Sequence, residues 1–516
     1  MSQTKLFLKL SENLSERLMP ASVNLEKACW EFYTNSNPQT LSNYEKSQEE
    51  YAKIFKNKKL YEQFLTLDKK NLNTHDAKQL KDILRSFDEE INTGDEIKEL
   101  RIKENEIAKK YNSYIPKIDG KEVSKAELVK ITQTETDECI RKQAYKAKII
   151  GGDLISKDLV EFVKIRNNFA KTKGYNNFFE YKLNEDYDTD TVFLDKLIYD
   201  TYAKAKPYIE KIQQKRVDEY KEFYKTKVLQ NYHFGLLLKS NPEKRVNDIL
   251  KKYDILNLAK KIYAGMGYDI NTLEKSGKLT LDLYPRKGKN THGFCFGVEA
   301  GKDSRILANL TNNIVSLNTL NHELGHCVYD LGLPVTKPFL DRQPASSAFT
   351  EAIAMMMGDI IKKEDVLKDI LSPELLSEFK NSLKDDEANF ISKSLLIIDF
   401  ERSFYNDITQ NPKILWKNLK IKYLKREEEE DNEWATIPHY LSHPAYYQNY
   451  FRASLMKAQI YNHLKSVLGS ITENEHTAKY LNRNIFRHGA LLGEYELIKM
   501  LTGKEFSEDD FIKNLE

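Results

Sequence analysis

The chain has 516 residues, with 80 Lys and Arg against 78 Asp and Glu, so its formal net charge is +2. This balance argues against a nucleic-acid or membrane-surface binder, because neutralising phosphates requires a basic excess or a basic cluster. The 20 glycines and 13 prolines are about half of the usual share of these residues, which is roughly 12%. The composition therefore excludes loop-dominated and collagen-like classes and favours a mainly helical protein over a turn-rich β-sandwich.

The cysteines and the N-terminal residues indicate a cytoplasmic location. The four cysteines form neither a CxxC pair nor a disulfide-scaffold spacing, which fits a reducing compartment. They are Cys29, Cys139, Cys295 and Cys327. The first residues show no signal-peptide pattern, and no apolar run approaches the ~20 residues that span a bilayer. We therefore expect a cytoplasmic protein without a membrane partner.

The first half of the chain has few helix breakers. One proline, Pro116, lies between residues 39 and 206, and the segment is rich in Lys, Glu, Leu and Tyr, as expected for successive amphipathic helices. No linker rich in Pro, Gly or Ser divides the chain. We therefore expect one catalytic unit over 1–516, with a helical N-terminal lobe at 1–270 and the remaining elements at 271–516.

The pattern changes to short strands between about 277 and 312. Residues 279–284 alternate with period two, residues 285–290 form a turn, residues 292–298 are a second candidate strand, and residues 304–310 are a third. This spacing predicts a hairpin in a small antiparallel sheet. The hairpin is either a functional platform or a structural brace between helices, and this segment alone favours neither.

A metal-binding pattern follows in the next helix. Residues 322–326 read His-Glu-Leu-Gly-His, and two histidines four residues apart leave the same face of a helix and can hold one ion. Glu323, one residue after His322, does not share that face fully, so it suits a general base beside the metal. A metal ion acidifies bound water and polarises a carbonyl, and the predicted reaction is therefore amide hydrolysis.

The third ligand is predicted to come from the following helix. The metzincin pattern fails, because Tyr329 and Gly332 stand where that class needs Gly and His. Glu351 lies one turn into a helix that starts near Ser346 or Ser347, and a helix–loop–helix hairpin can return its carboxylate to the metal. An N-terminal glutamate favoured by the helix dipole is the alternative. Three ligands and one open position are typical of catalytic zinc, so we expect one Zn²⁺ held by His322, His326 and Glu351.

These motifs resemble those of the gluzincin peptidases. Within that group the chain is similar to angiotensin-converting-enzyme-like peptidyl-dipeptidases and to oligoendopeptidase F or thimet-type oligopeptidases. The similarity rests on the motif at 322–326, the segment around Glu351, the strand at 292–298 and the stretch at 437–451. The resemblance implies an elongated, two-lobed helical ellipsoid with a deep central cleft and a small antiparallel sheet beside the HExxH helix.

The resemblance also implies how a peptide is held along the sheet. These families bind the substrate backbone along an edge strand beside the metal. The matching residues are His292, Gly293 and Cys295, and the polar edge of such a strand can pair with a peptide as an added strand. For His292 an ordinary turn histidine is the alternative.

The C-terminal stretch implies an oxyanion-binding group. The matching motif places His439 and Tyr450 in the catalytic roles, with Tyr447 on the same helical face as a substrate-binding residue. An imidazole and a phenol are suitable donors to a developing oxyanion. His443 is a rival for the role of His439, because the spacing varies between subfamilies.

Departures from the converting-enzyme pattern weigh against strict dipeptide release and chloride dependence. Trp434 stands at the position of the carboxylate-anchoring lysine, and Asn449 at that of an arginine linked to chloride. Met355 replaces an aspartate that supports a zinc-bound histidine, and Asp359 is the candidate substitute.

We therefore expect a zinc metallopeptidase that hydrolyses oligopeptides, with endopeptidase action favoured. Release of C-terminal dipeptides is the alternative, and a non-catalytic helical binding protein is a minor alternative. Oligopeptides are the expected partners, without nucleic acid, and the sequence leaves the oligomeric state open.

Overall fold

Helices make up most of the computed structural model, which describes residues 2–238, 240–290, 292–427 and 429–516. The mainly α fold class is confirmed. The helices of the first half are α1 (Gln3–Thr34), α2 (Pro38–Phe55), α3 (Lys58–Leu65), α4 (Thr74–Ile91), α5 (Gly94–Asn112), α6 (Lys125–Thr134), α7 (Glu138–Thr172), α8 (Phe178–Glu185), α9 (Thr191–Tyr224) and α10 (Pro242–Leu250). Those of the second half are α11 (Ile255–Gly265), α12 (Ile270–Lys275), α13 (Ile314–Leu331), α14 (Ser347–Lys363), α15 (Pro373–Asn406), α16 (Pro412–Leu424), α17 (His439–Ser442), α18 (Tyr447–Leu468), α19 (Thr477–Asn484), α20 (Glu494–Thr502) and α21 (Asp509–Leu515).

Packing divides the chain into two units, each assembled from segments that are distant in sequence. The first unit contains Met1–Gly94, Arg245–Lys380 and Arg452–Asp510. The second contains Asp95–Lys244, Asn381–Phe451 and Phe511–Glu516. Neither unit begins or ends at residue 270, where the sequence predicts the boundary between the lobes. Each unit is built from segments that are far apart in the sequence, so a single boundary along the chain cannot describe it.

The core of the first unit surrounds helices α13 and α14. Leu317, Leu320 and Leu324 lie on one face of α13 at helical spacing and are fully buried. They belong to the same apolar cluster as Phe349 and Ile353 of α14. Burying a leucine side chain contributes about 1.5–3 kcal/mol, so this seam fixes the two helices against each other.

Side-chain caps set where these two helices begin. The Asn313 side chain accepts a hydrogen bond from the Ser316 backbone N–H at 2.8 Å, at the start of α13. The Ser346 hydroxyl accepts one from the Phe349 N–H at 3.0 Å, at the start of α14. Each cap satisfies a backbone donor that the first helical turn leaves without a partner.

A three-stranded sheet precedes α13 in the first unit. Its strands are β3 (Leu279–Asp282), β4 (Phe294–Glu299) and β5 (Asp303–Leu307), after the two-residue strands β1 (Lys117–Ile118) and β2 (Lys121–Glu122), which pair in the second unit. The spatial order is β3-β5-β4, with β4 antiparallel to β5 and β3 parallel to β5. The sheet is therefore mixed, and the expectation of a purely antiparallel sheet holds only for the β4/β5 pair.

The expected β3/β4 hairpin is wrong, because β5 lies between these two strands. The buried Lys289 ammonium in the connection donates hydrogen bonds to the backbone carbonyls of Asp282, Tyr284 and Ala308, at 2.9, 2.9 and 2.6 Å. These bonds join the end of β3 to the end of β5. The second strand also begins at Phe294, so His292 lies outside it.

Hydropathy gives one further result. Within the part of the chain that the structure describes, no helix is both long enough and apolar enough to cross a bilayer.

Candidate active site

Helices α13 and α14 bring two histidines and one glutamate together. The Nε2 atoms of His322 and His326 are 3.2 Å apart. A carboxylate oxygen of Glu351 lies 3.6 Å from Nε2 of His322 and 3.8 Å from Nε2 of His326. The loop between the helices therefore returns Glu351 to the two imidazoles, as the spacing predicted.

The donor set fits a zinc ion. Zn²⁺ takes histidine nitrogens at 2.0–2.1 Å and carboxylate oxygens at 2.0–2.2 Å, so the ligand atoms of a tetrahedral site are about 3.3–3.5 Å apart. The three separations of 3.2, 3.6 and 3.8 Å fall close to that range. Three protein ligands leave one position open, as in catalytic zinc sites.

The surroundings keep both imidazoles neutral. Desolvation lowers the pKa of His322 to about 4, opposed by the charge of Asp359. Desolvation, and then His322, hold the pKa of His326 well below its ordinary value. A neutral imidazole offers a lone pair to a metal, so the site needs no deprotonation of histidine at neutral pH.

Thr350 orients one of these rings. Its hydroxyl oxygen lies 3.0 Å from Nδ1 of His326, which leaves Nε2 facing His322. Hydrogen bonds of this kind fix the orientation of ligand histidines. Sequence reasoning missed Thr350, although its position directly before Glu351 could have indicated it.

Asp359 has a different partner from the one expected. Its carboxylate accepts a hydrogen bond from the Lys457 ammonium at 2.5 Å, while its charge raises the pKa of His322. Asp359 therefore acts on His322 through its charge, and among the described residues no direct hydrogen bond joins the two.

Glu323 lies beside the start of the edge strand. The side chain is buried, and a Cβ atom added to Gly293 would lie 3.4 Å from its Oε1 atom. Desolvation, and then the charge of Glu351, raise the pKa of Glu323 to about 8. A general base works best when its pKa lies near the working pH, and burial moves the pKa of Glu323 up from the usual carboxyl range.

The residues expected to bind substrate along β4 differ in their position relative to the strand and in their exposure. Strand β4 is at an edge of the sheet, as predicted, and Gly293 precedes it. His292 is exposed, and its backbone N–H donates to Oδ1 of Asn290 at 2.9 Å. The Cys295 sulfur lies 3.0 Å from the Cys327 sulfur on α13, so only the backbone of Cys295 is available to a peptide.

The histidines and tyrosines of the C-terminal motif cluster within the second unit. The His439 ring centroid lies 4.9 Å from that of Tyr447 and 6.2 Å from that of Tyr450. His443 is exposed, its ring centroid is 6.0 Å from that of His439, and its Nδ1 atom lies 2.8 Å from the Ser442 hydroxyl. The predicted residues are therefore neighbours of one another in this unit.

Arg166 positions the segment that carries His439. Its buried guanidinium donates hydrogen bonds to the carbonyl of Tyr440 at 2.7 Å and to the Tyr405 hydroxyl at 3.2 Å. The Tyr440 hydroxyl in turn donates to the Ile397 carbonyl at 3.1 Å. Both of these acceptors lie more than 230 residues from Arg166 in the sequence, so no local spacing connects Arg166 with this segment.

Gly325 is a second residue that sequence reasoning missed. A Cβ atom there would lie 3.0 Å from Cα of Ala354, and the same distance from Cβ of Met357. Glycine inside a helix is unfavourable by about 1 kcal/mol relative to alanine. A glycine within the HExxH helix therefore indicates a place where another element approaches closely. Its presence here allows α13 and α14 to approach closely behind the histidines.

Comparison with known proteins agrees with this geometry. Residues 131–516 match Peptidase family M3. The chain is 25% identical over 389 residues to an oligoendopeptidase F homolog of Borreliella burgdorferi, covering 68% of this chain and 61% of the relative. It is 23% identical to oligopeptidase PepF of Bacillus subtilis, covering 66% of this chain and 52% of the relative. For an oligoendopeptidase F homolog of Mycoplasma pneumoniae the identity is 26%, covering 56% and 47% respectively.

The chain therefore matches less than two thirds of the length of each of these relatives. The family match, in contrast, covers most of the chain and includes every residue of the candidate site. Peptidases of this family are in general zinc metalloenzymes. The predicted resemblance to oligoendopeptidase F and related oligopeptidases is confirmed, and the chain belongs to Peptidase family M3.

Proposed function

We propose that this protein is a zinc-dependent oligopeptidase that cleaves internal peptide bonds of oligopeptides. The observation that carries the proposal is the convergence of His322, His326 and Glu351 within 4.8 Å of one another, with Glu323 beside them. Family membership supports the reaction class. The same observations weigh against a non-catalytic binding protein, which needs neither a three-ligand set nor a buried base.

The three ligands would hold one Zn²⁺ per chain. When bound, the ion supplies a Lewis acid that polarises the scissile carbonyl and lowers the pKa of a water molecule. Glu323 accepts a proton from the attacking water and returns it to the leaving amine. Its burial suits this role, because a carboxylate removed from bulk water holds the transferred proton more strongly.

The β4 edge would align the substrate. A peptide that pairs with this edge forms main-chain hydrogen bonds independent of its side chains, which suits broad oligopeptide specificity. The approach of Gly293 to Glu323 supports this placement, because such a strand starts next to the base. His292 and the backbone of Cys295 are the proposed polar contacts.

His439 and Tyr450 would donate hydrogen bonds to the oxyanion that forms as the carbonyl is attacked, with Tyr447 and His443 near the substrate. Their clustering supports a shared role. Loss of one oxyanion donor typically lowers kcat by about 10²–10³. We expect Tyr450→Phe to show this loss with unchanged zinc content and Tyr446→Phe, in the same cluster, to retain activity. Comparing the peptide cleavage rates of His439→Ala and His443→Ala shows which of the two histidines donates to the oxyanion.

The central test replaces the base and leaves the ligands intact. We expect Glu323→Gln to lose peptide cleavage by about 10²–10⁴ while it keeps stoichiometric zinc, measured by mass spectrometry on the same sample. Asp330→Asn is the matched control, because Asp330 lies on the same helix and desolvation raises its pKa to about 7. Unchanged cleavage by Glu323→Gln would refute the assignment.

The names of two relatives, both oligoendopeptidase F homologs, favour endopeptidase action over dipeptide release. Cleavage sites mapped in one peptide with a free and an amidated C-terminus test this. We expect the same internal cleavage in both peptides, whereas a dipeptidyl carboxypeptidase would lose the amidated substrate.

We also propose that the 516 residues act as one catalytic unit in the cytoplasm. The four free cysteines support a reducing compartment. Localisation of the tagged protein in fractionated cells tests the cytoplasmic location.

A further inference from the structure

A basic cavity lies within the second unit, apart from any residue assigned a role above. Its volume is about 190 Å³, smaller than the roughly 300–1,000 Å³ of sites for drug-sized ligands. Four basic side chains line it: Lys148 of α7, Arg216 of α9, Lys393 of α15 and Arg426 after α16. Among the described residues that line it, Glu433 is the one carboxylate. Four cations and one carboxylate leave a formal charge of +3.

Glu433 is already shared between other groups. One of its carboxylate oxygens accepts a hydrogen bond from Lys148 at 3.0 Å. The other accepts from Lys420 at 3.3 Å and from the Trp416 indole at 3.2 Å. Lys148 and Lys420 therefore share the negative charge of Glu433 through direct hydrogen bonds.

Lys393 and Arg216 have no such partner. Among the described residues, neither forms a hydrogen bond or an ion pair. Desolvation, followed by the charges of Arg216 and Arg426, lowers the pKa of Lys393 to about 8, and Glu433 opposes the shift. The Lys393 side chain is nevertheless exposed. It faces an open cavity, and the cavity walls remove part of its hydration, which accounts for the lowered pKa. The uncompensated charge is therefore accessible to a ligand.

Contacts with neighbouring side chains hold two of the four basic groups, Arg426 and Lys148, in place. The Arg426 guanidinium lies 3.8 Å from the centroid of the Phe234 ring, a contact that fixes the plane of its donors. Glu433 fixes Lys148. A site arranged before the ligand arrives loses less entropy on binding, which distinguishes it from a group of mobile surface lysines.

We propose that this cavity binds a small oxyanion that carries at least two negative charges. Phosphate and dicarboxylate groups share the chemistry that the cavity recognises, since their oxygens match the planar fork of arginine and the point charge of lysine. A bound dianion reduces the formal charge of the cavity from +3 to +1. The proposal is independent of the peptidase activity, because binding involves none of the metal ligands.

Calorimetric titration of inorganic phosphate into the full chain at constant ionic strength tests the proposal. The Glu323→Gln variant is used, so that the result does not depend on turnover. We expect saturable 1:1 binding and a rise in Tm on the order of 1–3 °C with phosphate. Chloride at the same ionic strength should give neither effect. An equal effect of chloride would overturn the proposal, because only general screening would then be at work.

Variants locate the site. Lys393→Met should weaken phosphate binding by about tenfold or more and should raise the Tm of the ligand-free protein, because it removes an uncompensated charge. Lys384→Met, an exposed lysine on the same helix, is the control and should bind phosphate as the parent does. Arg216→Lys keeps the charge and loses the planar fork of the guanidinium, so it should also bind phosphate more weakly. This variant tests the site independently if Lys393→Met folds poorly.

Succinate distinguishes the two sources of the oxyanion. Competition between succinate and phosphate would assign a site that accepts carboxylates, and binding of phosphate alone would assign a phosphate site. Binding of neither anion, or normal phosphate binding by both cavity variants, would overturn the proposal.

Discussion

Adding one methyl group at Gly325 should disturb both stability and metal binding. The new Cβ atom in Gly325→Ala would lie 3.0 Å from Cα of Ala354, 3.0 Å from Cβ of Met357 and 3.1 Å from Cγ of Met357. Ordinary contacts between carbon atoms are about 3.5–4.0 Å. Because Ala354 contributes a backbone atom, the overlap cannot be relieved by a side-chain rotation, and α14 must move away from α13.

The expected magnitude combines two opposing effects. Overpacking a core typically costs about 1–3 kcal/mol, and replacing glycine by alanine inside a helix returns up to about 1 kcal/mol. Subtracting the full return leaves a net loss of about 0–2 kcal/mol in the free energy of unfolding. Displacement of α14 also moves Glu351 from His322, now 3.6 Å apart, and should weaken zinc binding by about 10–100-fold.

Chelator competition measures the zinc affinity, and denaturant unfolding measures the stability. Gly94→Ala is the control: Gly94 begins α5, and its added Cβ atom would meet only the Glu89 carbonyl at 3.8 Å. We expect this variant to match the parent. If Gly325→Ala has parental zinc affinity and stability, the close approach of the two helices does not position the site.

Three further predictions concern single residues. Glu351→Ala should lower zinc affinity by more than about 100-fold, measured by chelator competition, and full occupancy would remove Glu351 from the ligand set. A hydrogen bond with Asp341 raises the pKa of His75, so its contribution to stability is present at low pH and is lost as pH rises through that raised pKa. His75→Gln should therefore flatten the dependence of Tm on pH between about 6 and 8, and an unchanged slope would contradict the assignment. Desolvation raises the pKa of Glu401 to about 8, opposed by the Ala445 N–H at 2.9 Å, so ionisation of Glu401 destabilises the fold as pH rises above about 4.5. Glu401→Gln keeps an acceptor for that N–H and should be roughly 1–3 kcal/mol more stable than the parent above pH 8 and similar to it below about pH 5, whereas lower stability at both pH values would be inconsistent with this reasoning.

The sequence predicted the features of the site that depend on local periodicity. His322 and His326 were placed together because four residues make about one helical turn. Glu351 is predicted from its place one turn into the following helix, which a helix–loop–helix hairpin can return to the metal. Both predictions need only the geometry of single helices and a loop at 332–346 that reverses the chain.

The features that were missed depend on packing between elements. In the β3-β5-β4 order the last strand pairs with both earlier ones, which no alternation of residues reveals. The roles of Gly325 and Thr350 arise where α13 meets α14. The basic cavity combines residues from Lys148 to Glu433, and charges so distant in sequence cannot be assigned to one site before the fold is known.

Anomalous scattering at the zinc edge from crystals of the zinc-loaded protein tests the central claim most directly. The account predicts one strong peak within about 2.0–2.2 Å of Nε2 of His322, Nε2 of His326 and a carboxylate oxygen of Glu351. A zinc peak at another position, or no peak between α13 and α14 under conditions that saturate the protein with zinc, would contradict it.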